Sequence, residues 1–271
     1  MTLLLAALLP TLAAGPASSD TVKLPVPKVE YRPNEATASR SPWIDANGWQ
    51  LLRAPARRYS YDVPSASVAI AALEAFAYGA QAEIRTDGAG TTIFNRVLDF
   101  LRGVPEIGDL PILANIGVID DGSEETGELM NLLTRRNLLY RIVPAPDPHL
   151  DLNIRLGSKE YPKSEAGDPS ELAQKIRSQL TDEKRLLRVY GSEVVIARLT
   201  GDGAHARIHL LNYANRPVKG LRVRVLGTFS NWKVAAYDKP GLKLEDFAAA
   251  DGATEFSVPE MSTYAVIDLS R

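Results

Sequence analysis

The sequence predicts an α/β domain on a parallel sheet, followed by an all-β domain, a small antiparallel sandwich. Three observations lead there. Residues Pro111 to Val143 read as strand, acidic turn, helix and strand. Helical and strand patterns alternate from 65 to 190. From Glu193 onward short strands follow one another with turn signals and no helical period. The chain of 271 residues is long enough for two domains of ~100–150 residues each. The division is therefore a leader over 1–20, a proline-rich extended arm over 21–64, an α/β domain over 65–190 and a sandwich over 191–271.

The leader MTLLLAALLPTLAAGPASSD carries an apolar run from Leu3 to Ala14 and small residues at Ala13, Ala14, Gly15 and Ala17. That pattern matches a secretory signal with its cleavage site, although no Lys or Arg precedes the apolar run. It predicts a secreted or periplasmic protein. No apolar run reaches the ~18 residues of a membrane-spanning helix, so no membrane partner is expected.

The arm holds Pro25, Pro27, Pro33, Pro42, Pro55 and Pro64. Proline removes backbone donors and disfavours helix before it, which predicts extended chain. Trp43, Trp49, Tyr59 and Tyr61 are expected to anchor it to the body. Such rings, if displayed, would also suit stacking against sugars.

Residues 65–82 predict a helix, with Leu73, Phe76 and Ala77 at helical spacing and Gly79 to close it. A short strand follows at Ala82 to Arg85, then a loop at Asp87 to Gly90, then a helix over 91–102. The apolar run Ile112 to Ile119 and the run Leu138 to Val143 flank a helix carrying Leu129, Leu132 and Leu133. A βαβ unit demands a parallel pair. Leu150 to Leu156 alternates as a half-buried strand, Ser170 opens a helix, and Leu186 to Tyr190 is a further strand. About six strands are expected beyond Glu193, with a hairpin around Gly201-Asp202-Gly203.

Asp120 and Asp121 lie at the carboxyl end of the first strand of the βαβ unit, where parallel sheets bind ligands. With Glu124 and Glu125 they form an acidic cluster able to hold a cation or to serve glycoside hydrolysis. The same residues suit a helix amino terminus, capped by Asp121 or Ser123. Calcium-loop spacing is absent. Asp120, Asp121, Glu124, Trp43, Trp49 and Tyr61 are the candidate ligand-binding residues, and no catalytic residue is assigned. His149, His205 and His209 lack metal-ligand spacing, and no cysteine is present. No metal or cofactor is therefore expected. The net charge of -2 gives no attraction for nucleic acid. Gly-x-Ser-x-Gly, Gly-x-Gly-x-x-Gly and phosphate-cradling motifs are all missing.

Three passages carry a family resemblance: ALEAFAYGAQAEI at residues 72–84, the Pro111 to Val143 unit, and HLLNYANRPVKGLRVRVLG with TEFSVPEMSTYAVIDL. Through them the chain resembles the carboxyl-terminal portion of glycoside hydrolases of the beta-galactosidase type. The first is similar to the last helix and strand of a sugar-hydrolase barrel. The second is similar to a class I amidotransferase-like, flavodoxin-type domain, and the third to a closing β-sandwich. A catalytic (β/α)8 barrel needs about 250 residues and has no room here, and the amidotransferase nucleophile is absent. The resemblance implies a non-catalytic module that binds carbohydrate or assembles with itself. The alternatives are a glycoside hydrolase using the Asp120–Glu125 turn, or a fragment of one.

Overall fold

The computed structural model describes residues 2–5, 21–30, 42–167 and 169–271. Of the expected leader, β1 (Thr2–Leu5) is a strand and the rest lies outside the described residues. Helices and strands then build a mixed four-stranded sheet, a small parallel sheet and a sandwich.

The first sheet has the order β1-β6-β5-β2. The chain passes through β2 (Val22–Leu24), the separate antiparallel pair β3 (Lys28–Glu30) and β4 (Trp43–Asp45), α1 (Gly48–Arg53) and β5 (Arg58–Asp62). Then come α2 (Val68–Ala77), β6 (Gln81–Arg85) and α3 (Gly88–Arg102). β2, β5 and β6 run parallel, and β1 pairs antiparallel with β6. Segment 21–64 thus corrects the expectation of an arm laid along the surface. Its described residues supply four strands and a helix, because Tyr59, Tyr61, Leu24 and Leu51 bury nearly all their area. Asp87-Gly-Ala-Gly90 is likewise no loop. Asp87 caps α3, accepting the Gly90 amide at 2.7 Å, so the glycines form its first turn.

The second sheet, order β8-β7-β9, is parallel throughout. Its elements are β7 (Ile116–Ile119), α4 (Glu124–Arg135), β8 (Tyr140–Val143) and β9 (Leu152–Ile154). All four β7 residues are buried, as a central parallel strand requires. α5 (Pro169–Lys184) buries Leu172, Ala173, Ile176 and Leu180 in the same core. The 65–190 region therefore does not share one sheet: its parallel strands are divided between two. The expected strand Ile112 to Ile119 is also split. Pro111 to Leu113 leave this sheet and bond to a strand of the sandwich.

The sandwich has two antiparallel four-stranded sheets. One has β10 (Leu187–Tyr190), β13 (Val218–Leu226), β16 (Ala253–Met261) and β15 (Glu245–Ala250), in the order β10-β13-β16-β15. The other has β11 (Val195–Gly201), β12 (His205–Asn212), β17 (Tyr264–Ser270) and β14 (Asn231–Ala236), in the order β11-β12-β17-β14. The hairpin at Gly201-Asp202-Gly203 is present. In the first sheet Leu221, Val223 and Val225 point inward, and Arg222 pairs with Glu255 outside at 2.8 Å.

The second sheet is covered on both faces. Val195, Ala197, Leu199, Ile208 and Ile267 enter the sandwich core. Ile196, Leu211, Tyr264 and Val266 join the core of the first α/β layer. The outer edge of β11 is closed by backbone bonds with Pro111 and Leu113 at 2.9 and 3.1 Å. Asn137 completes the seal, donating its amide to the Val195 carbonyl at 2.9 Å and accepting from the Ala197 amide at 2.7 Å. Covering an edge in this way prevents unwanted strand pairing.

Candidate functional site

The acidic turn follows β7 because Gly122, at φ +79, lets the chain reverse into α4. Ser123 caps the helix, its hydroxyl accepting the Thr126 amide at 3.2 Å. Asp121 accepts from the Ser123 hydroxyl at 2.6 Å, the Ser123 amide at 3.0 Å and the Thr126 hydroxyl at 2.8 Å. These hydrogen bonds, those from Ser123 first, hold its carboxyl far below the ordinary carboxylate range. Asp120 takes a two-pronged bond from Arg53 of α1, at 2.9 and 2.8 Å. The same guanidinium donates to the Ser123 carbonyl at 2.9 Å. Glu124 is exposed, and Glu125 faces Lys163 at 3.9 Å.

The expected aromatic residues come to the same helix. Trp43 lies under the Arg135 guanidinium, 3.7 Å from the ring centre, and donates its indole N–H to Asp45 at 2.7 Å. Trp49 packs against Gly127, where an added Cβ would stand 3.0 Å from its ring. Tyr59 donates to the Gln50 and Ala54 carbonyls at 3.0 and 2.8 Å. The structure thus gathers Trp43, Trp49, Arg53 and Asp120 into a staple between α1 and α4. Tyr61 is elsewhere and wholly buried, which corrects its place among the ligand-facing residues. A ring with no exposed face cannot stack on a ligand.

Tyr61 instead belongs to a polar knot that the sequence reading missed. The fully buried Glu74 of α2 accepts four hydrogen bonds. They come from the Asn47 amide at 2.7 Å, Asn47 Nδ2 at 3.1 Å, Tyr61 at 2.9 Å and Tyr213 at 2.6 Å. Burial raises the Glu74 pKa, and these four donors oppose the shift. Its signal was a lone acid in the Ala-rich run AALEAFA, apolar on every side.

A second missed group lies on the face of the first sheet opposite its buried residues. Lys23, Asp62, Glu83 and Arg85 share that face by strand register, around the buried Ser60. Asp62 and Arg85 end the parallel strands β5 and β6. Lys23 bonds Asp62 at 2.6 Å, Arg85 approaches Asp62 at 3.8 Å, and Arg85 bonds Glu83 at 3.2 Å. The Lys23 bond leads in lowering the Asp62 pKa. Asp62 and Glu83 thus stand as two carboxylates on one face of adjacent parallel strands.

His209 faces Tyr264 at 2.6 Å in the interior, while His149 and His205 lie near turns with Asp147 and Asp202. No group of three metal-ligating side chains occurs among the described residues.

No family model matches the chain, and no curated protein matches it. Solved structures do. An alpha-L-fucosidase, isoenzyme 2 from Paenibacillus thiaminolyticus, superposes with a TM-score of 0.58 at 8% identity, over 80% of this chain and 61% of that one. A cold-adapted beta-galactosidase from Rahnella sp. R3 aligns over 84% of this chain and 62% of that one, with TM-score 0.44 and 9% identity. The chain thus shares the fold of the fucosidase over the aligned residues, and it spans under two thirds of the length of both structures. No helix among the described residues is long and apolar enough to cross a membrane.

Proposed function

We propose that this chain is a non-catalytic module related to carbohydrate-active enzymes, exported from the cell, which holds a glycan without cleaving it. The observation that carries this reading is the state of its carboxylates. Hydrolysis of a glycosidic bond needs one carboxyl kept protonated beside an ionised one, both open to the sugar. Here Asp120 is neutralised by Arg53, and Asp121 is spent on the cap of α4. Asp62 is drawn toward the ionised form by Lys23. Glu74, the acid whose pKa is raised, is sealed inside.

A hydrolase is the second reading, favoured by the juxtaposition of Asp62 and Glu83 on one face of adjacent parallel strands. The test is release of chromophore from a panel of aryl glycosides, run on the full chain and on Asp62→Asn and Glu83→Gln. The non-catalytic reading expects the same background rate in all three. Turnover by the parent chain that either substitution removes would establish the hydrolase.

A further inference from the structure

A cleft of about 470 Å³ opens between α3 and the turn after β14, within the ~300–1,000 Å³ range of small-molecule sites. Arg96, Asp99, Phe100 and Gly103 line it from α3, at the spacing that puts residues on one helical stripe. Tyr237 and Asp238 line it from the sandwich. Phe100 meets Tyr237 edge-on, with ring centres 5.7 Å apart.

Tyr237 is 3% exposed overall, and it lines the cleft. Its hydroxyl keeps contact with solvent, so it is free to bond a ligand there. Arg96 and Asp238 lack hydrogen-bond partners among the described residues. Asp238 is held at φ +59, a conformation uncommon outside glycine, in the turn that carries it to the rim. Burial raises the Tyr237 pKa, with Asp238 adding to the rise and Arg96 opposing it. The phenol is therefore a neutral donor with both charges close by.

We propose that this cleft binds a neutral saccharide, with the Tyr237 hydroxyl, Arg96 and Asp238 bonding sugar hydroxyls against the Phe100 ring. One cationic side chain faces two carboxylates, Asp99 and Asp238, and Asp99 is itself paired with Arg102 at 2.5 Å. An acidic sugar would find no net positive charge to balance it, whereas a neutral polyol gains a donor, an acceptor and an amphoteric hydroxyl at once. The proposal deepens the glycan-holding reading above and shares none of the carboxylates on which that reading turns.

Calorimetric titration of the full chain with methyl glycosides of neutral hexoses and deoxyhexoses, and with a methyl uronide, tests it. Saturable binding of a neutral glycoside is expected, with the uronide weaker. Tyr237→Phe and Asp238→Asn should each weaken binding about fivefold or more, the loss of one hydrogen bond, with melting temperature unchanged. Absence of saturation for every neutral glycoside up to tens of millimolar overturns the proposal. So does binding that neither substitution alters. Glycoside turnover without these effects would refute the non-catalytic reading instead, so the two failures are distinct.

Discussion

His209 lies directly across from Arg198 in the β11–β12 ladder and between Phe76 and Tyr264. Burial holds its pKa well below 6.5, and Arg198 and Arg207 push it the same way. The ring is neutral, and its Nδ1 shares a hydrogen bond with the Tyr264 hydroxyl. As pH falls through 6.5, the unfolded chain takes up a proton that the folded chain refuses, so stability drops on the acid side. The slope from this one group is at most about 1.4 kcal/mol per pH unit. Denaturant titrations of wild type and His209→Gln between pH 7.5 and 5 should show a shallower decline in the variant. Parallel declines would mean that His209 is protonated in the fold. In the sequence His209 stands in a strand without metal-ligand spacing, and the structure buries it against Phe76 and Tyr264. Glu74 and Tyr237 were not legible. A carboxylate satisfied by Asn47, Tyr61 and Tyr213, and a phenol ring packed edge-on against Phe100, both depend on contacts far apart in the chain.

Among the elements, the legible ones buried a regular stripe. α4 showed its Leu129, Leu132 and Leu133 face, and β13 showed Leu221, Val223 and Val225 against Arg222 and Arg224. β15 was missed because it is an edge strand whose residues are mostly exposed, leaving no alternation to read. α1 was hidden by the prolines around it. Its Gly48 is fixed by packing: an added Cβ would lie 2.2 Å from the Tyr78 ring. Gly48→Ala should therefore cost about 1–3 kcal/mol through overpacking, although alanine favours helix by up to ~1 kcal/mol. Chemical denaturation would measure this, and a stabilised variant would show that the ring moves aside at no cost. Strand Ile112 to Ile119 divided because Pro111 to Leu113 found a better partner in the β11 edge than in the parallel sheet. Local pattern cannot reveal that choice.

At the scale of the whole molecule, the sheet β11-β12-β17-β14 ties the parts together. Its near-continuous apolar runs, such as Tyr264 to Ile267, reflect burial on both faces, whereas β13 alternates because one face meets water. Tyr213 and Glu74 join sandwich to helix layer through their 2.6 Å bond. Removing that hydroxyl leaves a buried carboxylate one donor short, a loss of about 1.5–3 kcal/mol. Tyr213→Phe should thus lower the melting temperature in a single transition seen equally by far-ultraviolet and aromatic signals. Two separated transitions would show instead that the layers fold independently. The division into α/β and all-β parts was readable from texture. The splitting of the parallel strands into two sheets was not, because it depends on pairing distant segments. The central proposal is that this chain, which shares the fold of an alpha-L-fucosidase, lacks a working pair of carboxyl groups. Its most direct test is product release by the purified full chain from aryl α-L-fucoside and β-D-galactoside, compared with Asp62→Asn. Equal background rates are expected, and a parent rate that Asp62→Asn abolishes would contradict the claim.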